Sequence, residues 1–151
     1  EPLRQAVRAE PDLISPNVVE AEELVGHEFN DEDDQARAVD EMIEQGAREA
    51  IMTMEDGCLA CVKVDGQLTR LRVTTPAREV VAGVGTGDAF LAGYVAARYE
   101  GRSPQDCLAY GVACGAEATQ HLGAGLIDPR EVGRLLSTVE VRELEPSPEL
   151  S

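Results

Sequence analysis

Three glycines, Gly83, Gly85 and Gly87, alternate immediately ahead of Asp88, and an apolar, helix-favouring run from Ala89 to Ala97 follows at once. Glycine lets a backbone turn tightly and lets a ligand come close to the amides. A helix opening straight after such a loop points free N–H groups and a positive dipole end at any anion there. To this point the residues describe a phosphate cradle. Asp88 is out of place in a passive cradle, because a carboxylate repels bound phosphate. Beside a phosphate site it makes sense if it takes a proton from an attacking hydroxyl. The bland alternative is a glycine-rich strand-to-helix turn whose aspartate is solvated or caps the helix.

Other glycine-loop chemistries fit less well. A dinucleotide-binding Gly-x-Gly-x-x-Gly starting at Gly83 needs glycine where Asp88 stands, and one starting at Gly85 fails at Phe90. A P-loop needs a Gly-Lys-Ser/Thr ending, and the only lysine of the chain is Lys63. Upstream, Pro11–Ser15 reads as a short buried strand broken at Pro16. Asn17 is a good N-cap for a helix through Leu24, which Gly26 stops. Glu20 lies one turn on, on the same face. There the pair can order phosphate and metal-bound water, or form a capping box in which Glu20 reaches back to the Asn17 backbone. Residue type leaves both readings open.

Taken together these segments resemble the PfkB carbohydrate kinases, the ribokinase-like sugar kinases. Ala82-Gly83-Val84-Gly85-Thr86-Gly87-Asp88 is similar to their Asp-Thr-x-Gly-Ala-Gly-Asp signature. The Gly-x-Gly-Asp core is kept, and Ala82-Gly83 replace the Asp-Thr pair. Ser15-Pro16-Asn17-Val18-Val19-Glu20 resembles their Lys-Pro-Asn-x-x-Glu. Thr53 and Gly57 align with a Thr-Leu-Gly-x-x-Gly segment near nucleotide phosphate, in a loop one residue shorter that keeps Glu55 and Asp56. Tyr110–Ala116 and Leu122–Pro129 look like the 1-phosphofructokinase and tagatose-6-phosphate kinase branch, and Ala118 stands where many relatives place an adenine-contacting asparagine.

The resemblance implies ATP-dependent phosphorylation of a sugar phosphate of the fructose 1-phosphate or tagatose 6-phosphate class. It implies Asp88 as the base, the amides of Gly85, Thr86 and Gly87 as the anion hole, and Asn17 and Glu20 ordering Mg²⁺ and its waters. Asn17, Thr53, Gly57, Gly85 and Gly87 then line the ATP site. Members of the family are much longer. Residues 1–144 therefore read as the nucleotide-binding, catalytic half, 145–151 as a frayed tail, and the partner as an absent N-terminal half with most of the sugar site. Such a fragment is expected to be inactive by itself. The rival expectation is a non-catalytic nucleotide- or anion-binding module of the same fold. Homo-oligomerisation is left open.

The alternation of predicted elements argues for an α/β protein. The resemblance makes it a three-layer α/β/α ribokinase-like sheet, mostly parallel, with one antiparallel hairpin at Asp65-Gly66. Predicted elements include a first helix before the Pro11–Ser15 strand, an acidic loop Asn30–Asp34, a helix Gln35–Gln45 and a strand Ala50–Met54. Later come a buried helix Gly87–Tyr99, another from Ser103-Pro104 to His121, and a last strand Val139–Leu144. No apolar run approaches the roughly 20 residues that span a bilayer, and a cytoplasmic protein is the default expectation. The formal net charge of −16 disfavours nucleic acid. With so little lysine it points to a surface suited to high salt. Cys58-Leu-Ala-Cys61 has a zinc-like spacing, but in a strand its thiols point to opposite faces. Cys107 and Cys114 share a helix face and read as small core residues. His27 and His121 are isolated.

Overall fold

A computed structural model describes residues 12–75, 86–118 and 129–144. The expected first helix, the glycine loop through Gly85 and the 119–128 segment lie outside the described residues. The elements are α1 (Val18–Val25), α2 (Glu32–Glu44), β1 (Ala50–Met54), β2 (Gly57–Val64), β3 (Gln67–Thr74), α3 (Thr86–Tyr99), α4 (Pro104–Ala118), α5 (Pro129–Leu136) and β4 (Glu140–Glu143). The chain divides into two compact units. One comprises Glu1–Met54, Leu59–Arg72 and Glu143–Ser151, and the other Glu55–Cys58 and Val73–Arg142.

The four strands hydrogen bond in the order β1-β2-β3-β4 and run antiparallel. A sheet of mostly parallel strands is therefore not what the described residues form. Among the described residues, parallel pairing is confined to isolated bridges from Ile14 to Ala50 and from Asn17 to Thr53. Ile14 N–H donates to the Glu49 carbonyl at 3.1 Å, and the Ile14 and Pro16 carbonyls accept from Ile51 and Thr53, each at 2.9 Å. Pro16 has no N–H to continue that ladder, so of the expected Pro11–Ser15 strand one bridge, at Ile14, remains, with a second at Asn17 beyond it. The hairpin turn is as expected: Asp65 and Gly66 take φ of 52° and 82°, the positive values a type I′ turn requires.

In the first unit α1 and α2 cover one face of β1 and β2. Ala21, Leu24, Ala36, Val39 and Met42 pack on Ala50, Met52, Leu59 and Cys61. The alternate residues Ile51, Cys58, Ala60 and Val62 are buried too, so β2 is covered on both faces. The acidic stretch expected as a loop is instead the start of α2. Asp31 caps the helix, its Oδ1 accepting the Asp34 N–H at 2.8 Å, and Glu32, Asp33 and Asp34 fill the first turn. Carboxylates at a helix N-terminus are favoured by the dipole, which offsets their mutual repulsion.

In the second unit α3 crosses α4 at a small-residue contact. A Cβ on Gly93 would stand 2.7 Å from the Cys114 Sγ, and one on Gly111 would stand 3.0 Å from the Phe90 carbonyl oxygen. Ser103 caps α4, its hydroxyl accepting the Asp106 N–H at 3.2 Å. Val132 and Leu135 of α5 pack with Ala113 and Cys114.

Candidate functional site

The sequence-predicted residues fall in both units. In the first, the parallel bridge sets Asn17 beside Thr53, so the N-terminus of α1 adjoins the C-terminal half of β1. Asn17 and Glu20 form the complete capping box. Asn17 Oδ1 accepts the Glu20 N–H at 2.8 Å, and Glu20 Oε1 accepts the Asn17 N–H at 3.0 Å. Both side chains are exposed. One oxygen of each is thus occupied, which fixes both rotamers. The second carboxylate oxygen of Glu20 is left to face solvent at the positive end of α1. Thr53 is half-buried.

In the second unit, Gly57 follows the two-residue turn Glu55-Asp56 with φ of 149°. A Cβ there would lie 1.9 Å from the Val73 carbonyl oxygen. The close approach of β3 thus accounts for this glycine. Thr86 opens α3, and Asp88 sits in its first turn with an exposed carboxylate. No described side chain bonds that carboxylate. Gly87 is exposed as well, and a Cβ built on it meets nothing within 4 Å. Its missing side chain leaves open space at a helix N-terminus next to an acid. Gly85 lies outside the described residues.

Expected helix burial is met on one face of α3 only. Phe90, Tyr94 and Ala97 are buried, whereas Leu91, Val95 and Tyr99 are exposed.

Sequence reasoning missed ion pairs under the sheet in which Asp40, Arg70 and Arg72 are buried. Asp40 of α2, 2% exposed, lies 3.6 Å from Arg70 of β3, and Arg72 Nε lies 3.8 Å from Glu32. The signal was present: Asp40 adjoins Val39 on the apolar side of α2, and Arg70 and Arg72 alternate along one strand. Glu49 is also buried and accepts the Lys63 N–H at 2.8 Å. Burial, with Asp40 nearby, pushes the Cys61 thiol up to about 12. Cys58 and Cys61 are free and buried, on opposite faces of β2.

The sequence profile of the pfkB family carbohydrate kinases matches residues 1–130. The 1-phosphofructokinase of Borreliella burgdorferi is 28% identical over 97% of this chain and 47% of its own length. The crystal structure of phosphofructokinase-2 from Escherichia coli in complex with substrates and products superposes with a TM-score of 0.77 at 24% identity, over 89% of this chain and 43% of that one. Arabidopsis thaliana ribokinase, complexed with ribose and ATP, gives a TM-score of 0.70 at 26% identity over 83% and 40%. The chain thus spans about half the length of the curated relatives it matches.

Proposed function

Because the chain belongs to the pfkB family of carbohydrate kinases, we propose that it is the C-terminal, nucleotide-binding half of a sugar-phosphate kinase. The reaction moves the γ-phosphoryl group of ATP to a hydroxyl of a phosphorylated ketohexose, of the fructose 1-phosphate or tagatose 6-phosphate class. The observation that carries this reading is the open space at Gly87, beside the exposed Asp88 in the first turn of α3. Helix N–H groups there have no intrahelical acceptor and suit an anion. A Cβ on Gly87 would fill the place the anion needs.

In this reading Asp88 takes the proton of the attacking hydroxyl, and its exposed position lets a substrate reach it. The amides of Gly85, Thr86 and Gly87 hold charge on the moving phosphoryl group without reorganising, which is where preorganised donors contribute most. Mg²⁺, when bound with ATP, supplies charge neutralisation between phosphate oxygens. Asn17 and Glu20, locked by the capping box, suit ordering of its water shell. Thr53, bridged to Asn17, and Gly57, which shapes the Glu55-Asp56 turn, complete the nucleotide side. The parallel bridges to β1 and the two-sided burial of β2 support a complete fold of three α/β/α layers.

A non-catalytic anion-binding module is the second reading, and the Glu55-Asp56 turn favours it. That turn joins β1 to β2 by two residues and puts two carboxylates where a nucleotide phosphate is expected.

Two variants of the kinase with its complementary half separate the readings. Asp88→Asn abolishes sugar-dependent ADP release while leaving ATP binding by calorimetry nearly unchanged, since it removes a proton acceptor. Gly87→Ala weakens ATP binding without lowering the thermal midpoint, because nothing within 4 Å resists the methyl group. Normal turnover in Asp88→Asn ends the base assignment.

A further inference from the structure

We propose that the outer edge of β4 is a self-pairing surface, on which two copies of this chain join antiparallel about a two-fold axis at Val141. The inference needs neither nucleotide nor catalysis, so it stands apart from the kinase reading.

The backbone settles which groups face outward. Among the described residues β4 is the last strand of the sheet, paired on one side only, to β3. The Asp65-Gly66 turn joins β2 to β3 by two residues, and the Thr75 N–H donates to the Asp56 carbonyl at 2.8 Å. Backbone groups of odd-numbered β3 residues therefore turn to β2, and those of even-numbered residues turn to β4. The Arg70 carbonyl accordingly accepts the Leu144 N–H at 2.9 Å. Stepping back by twos from Leu144, Arg142 and Glu140 also turn their backbone groups to β3. Val141 and Glu143 turn theirs to the open edge. All four residues of β4 are exposed, Val141 at 40%.

Charge then selects the occupant and the register. In an antiparallel pair, outward-turned residues stand opposite outward-turned residues. With Glu143 opposite Glu143, like charges meet. With Val141 opposite Glu143, Arg142 stands opposite Arg142, and like charges meet again. With Val141 opposite Val141, Glu140 of each copy faces Arg142 of the other, and Glu143 faces Val139. Opposite charges support a strand pair, and like charges directly opposite destabilise it. In this register the two Val141 residues exchange both backbone hydrogen bonds, and Glu140 and Arg142 form the non-hydrogen-bonded pairs, where side chains lie closest. Arginine has five donors, so Arg142 can serve this carboxylate beside a partner in its own chain. Charges on an edge strand usually keep other strands away; these admit a second copy, because the pattern complements itself. A two-fold pairing closes at two chains. It is weak, since four residues fall short of the about 20–30 a side of a stable interface. Each copy also carries a net charge of −16. Salt screens that long-range repulsion more than it screens ion pairs in contact, so it promotes the dimer.

Sedimentation equilibrium of the full chain tests this, from about 10 μM to about 1 mM, where weak association shows, in about 0.5 M potassium chloride. The mass of the native chain climbs with concentration towards twice that of one chain, and climbs less in low salt. Arg142→Glu and Glu140→Arg each stay monomeric alone, because each sets like charges opposite one another. Glu140→Arg does so although it lowers the net charge, which separates edge pairing from bulk repulsion. Mixed in equal amounts, the two variants dimerise, since each supplies the charge the other lacks. The double variant Glu140→Arg/Arg142→Glu dimerises as the native chain does. The proposal is overturned by a native chain that stays monomeric at about 1 mM, or by a mass beyond two chains. A dimer that survives either single reversal, or a mixture that stays monomeric, overturns it as well. Where a single variant does not fold, the double variant decides: a dimer upholds the proposal and a monomer ends it. No readout uses phosphoryl transfer, so failure of the kinase reading leaves this test intact.

Discussion

Replacing Gly93 by alanine sets two opposed effects of known size against each other. Alanine is favoured over glycine inside a helix by about 1 kcal/mol. At this position the added methyl meets the Cys114 Sγ at 2.7 Å and its Cβ at 3.1 Å. Turning the thiol relieves only the sulfur contact, and a Cβ cannot rotate away. Both partners are buried, so α3 and α4 must move apart, and overpacking of this kind costs about 1–3 kcal/mol. The net expectation is a loss of about 1 kcal/mol. Gly133→Ala is the control, since its methyl meets nothing within 4 Å on the exposed side of α5; there only the helix term acts, and stability rises. Cys114→Ala in the Gly93→Ala background removes the nearer contact, so the double-mutant cycle shows a favourable coupling of about 1 kcal/mol. Urea midpoints at constant slope measure all four variants. If Gly93→Ala stabilises as much as Gly133→Ala, or the cycle shows no coupling, the close crossing of α3 and α4 is refuted.

Three other outcomes are expected. The Cys61 thiol is pushed up from 9.0 to about 12 by burial first and Asp40 second. The folded state therefore keeps a proton that the unfolded state releases, and the contribution, present in full below pH 9, drains by up to about 4 kcal/mol as pH rises towards 12. Urea midpoints between pH 8 and 11 fall less steeply in Cys61→Ala, and native Cys61 resists iodoacetamide at pH 8. The thermal midpoint rises from low salt to multimolar potassium chloride, because the Debye length shrinks from about 10 Å at 0.1 M to about 3 Å at 1 M; a flat curve makes the acidity incidental. The chain alone releases no ADP in response to sugar phosphate, since phosphoryl transfer depends on positioning both substrates, and robust release would refute the half-site reading.

What the sequence disclosed was local. The bounds of α1 and β1 could be read from the Asn17 cap, Gly26 and a short apolar run, and Asp65-Gly66 announced its own turn. The start of α2 was misread because a string of acids suggests repulsion, while the Asp31 cap and the helix dipole act the other way. Non-local causes stayed hidden. The Val73 carbonyl beside Gly57 is not visible from the loop's own residues, and Asp40 signalled burial next to Val39 without saying which strand would supply its arginine. The Asn17–Glu20 pair allowed both a cap and a metal-water site; the cap is formed, and it steadies the groups the second role needs. Gly87 and Asp88 stand at the start of α3 as the motif led one to expect, but only one face of that helix is buried.

Two tight turns join β1 to β2 and β2 to β3, whereas β1 meets Ile14 and Asn17 only across the whole of α1 and α2. Hairpins close in microseconds, and pairings distant in sequence must first overcome the entropy of closing a long loop. The three-stranded meander can therefore assemble as soon as Val73 leaves the ribosome. The parallel edge at Ile14 closes after it, as does the contact of the Leu144 N–H with the Arg70 carbonyl. Pro16 deepens that delay by withholding a hydrogen bond from the late-forming edge. During synthesis the meander thus forms before the helix that carries Asp88 exists.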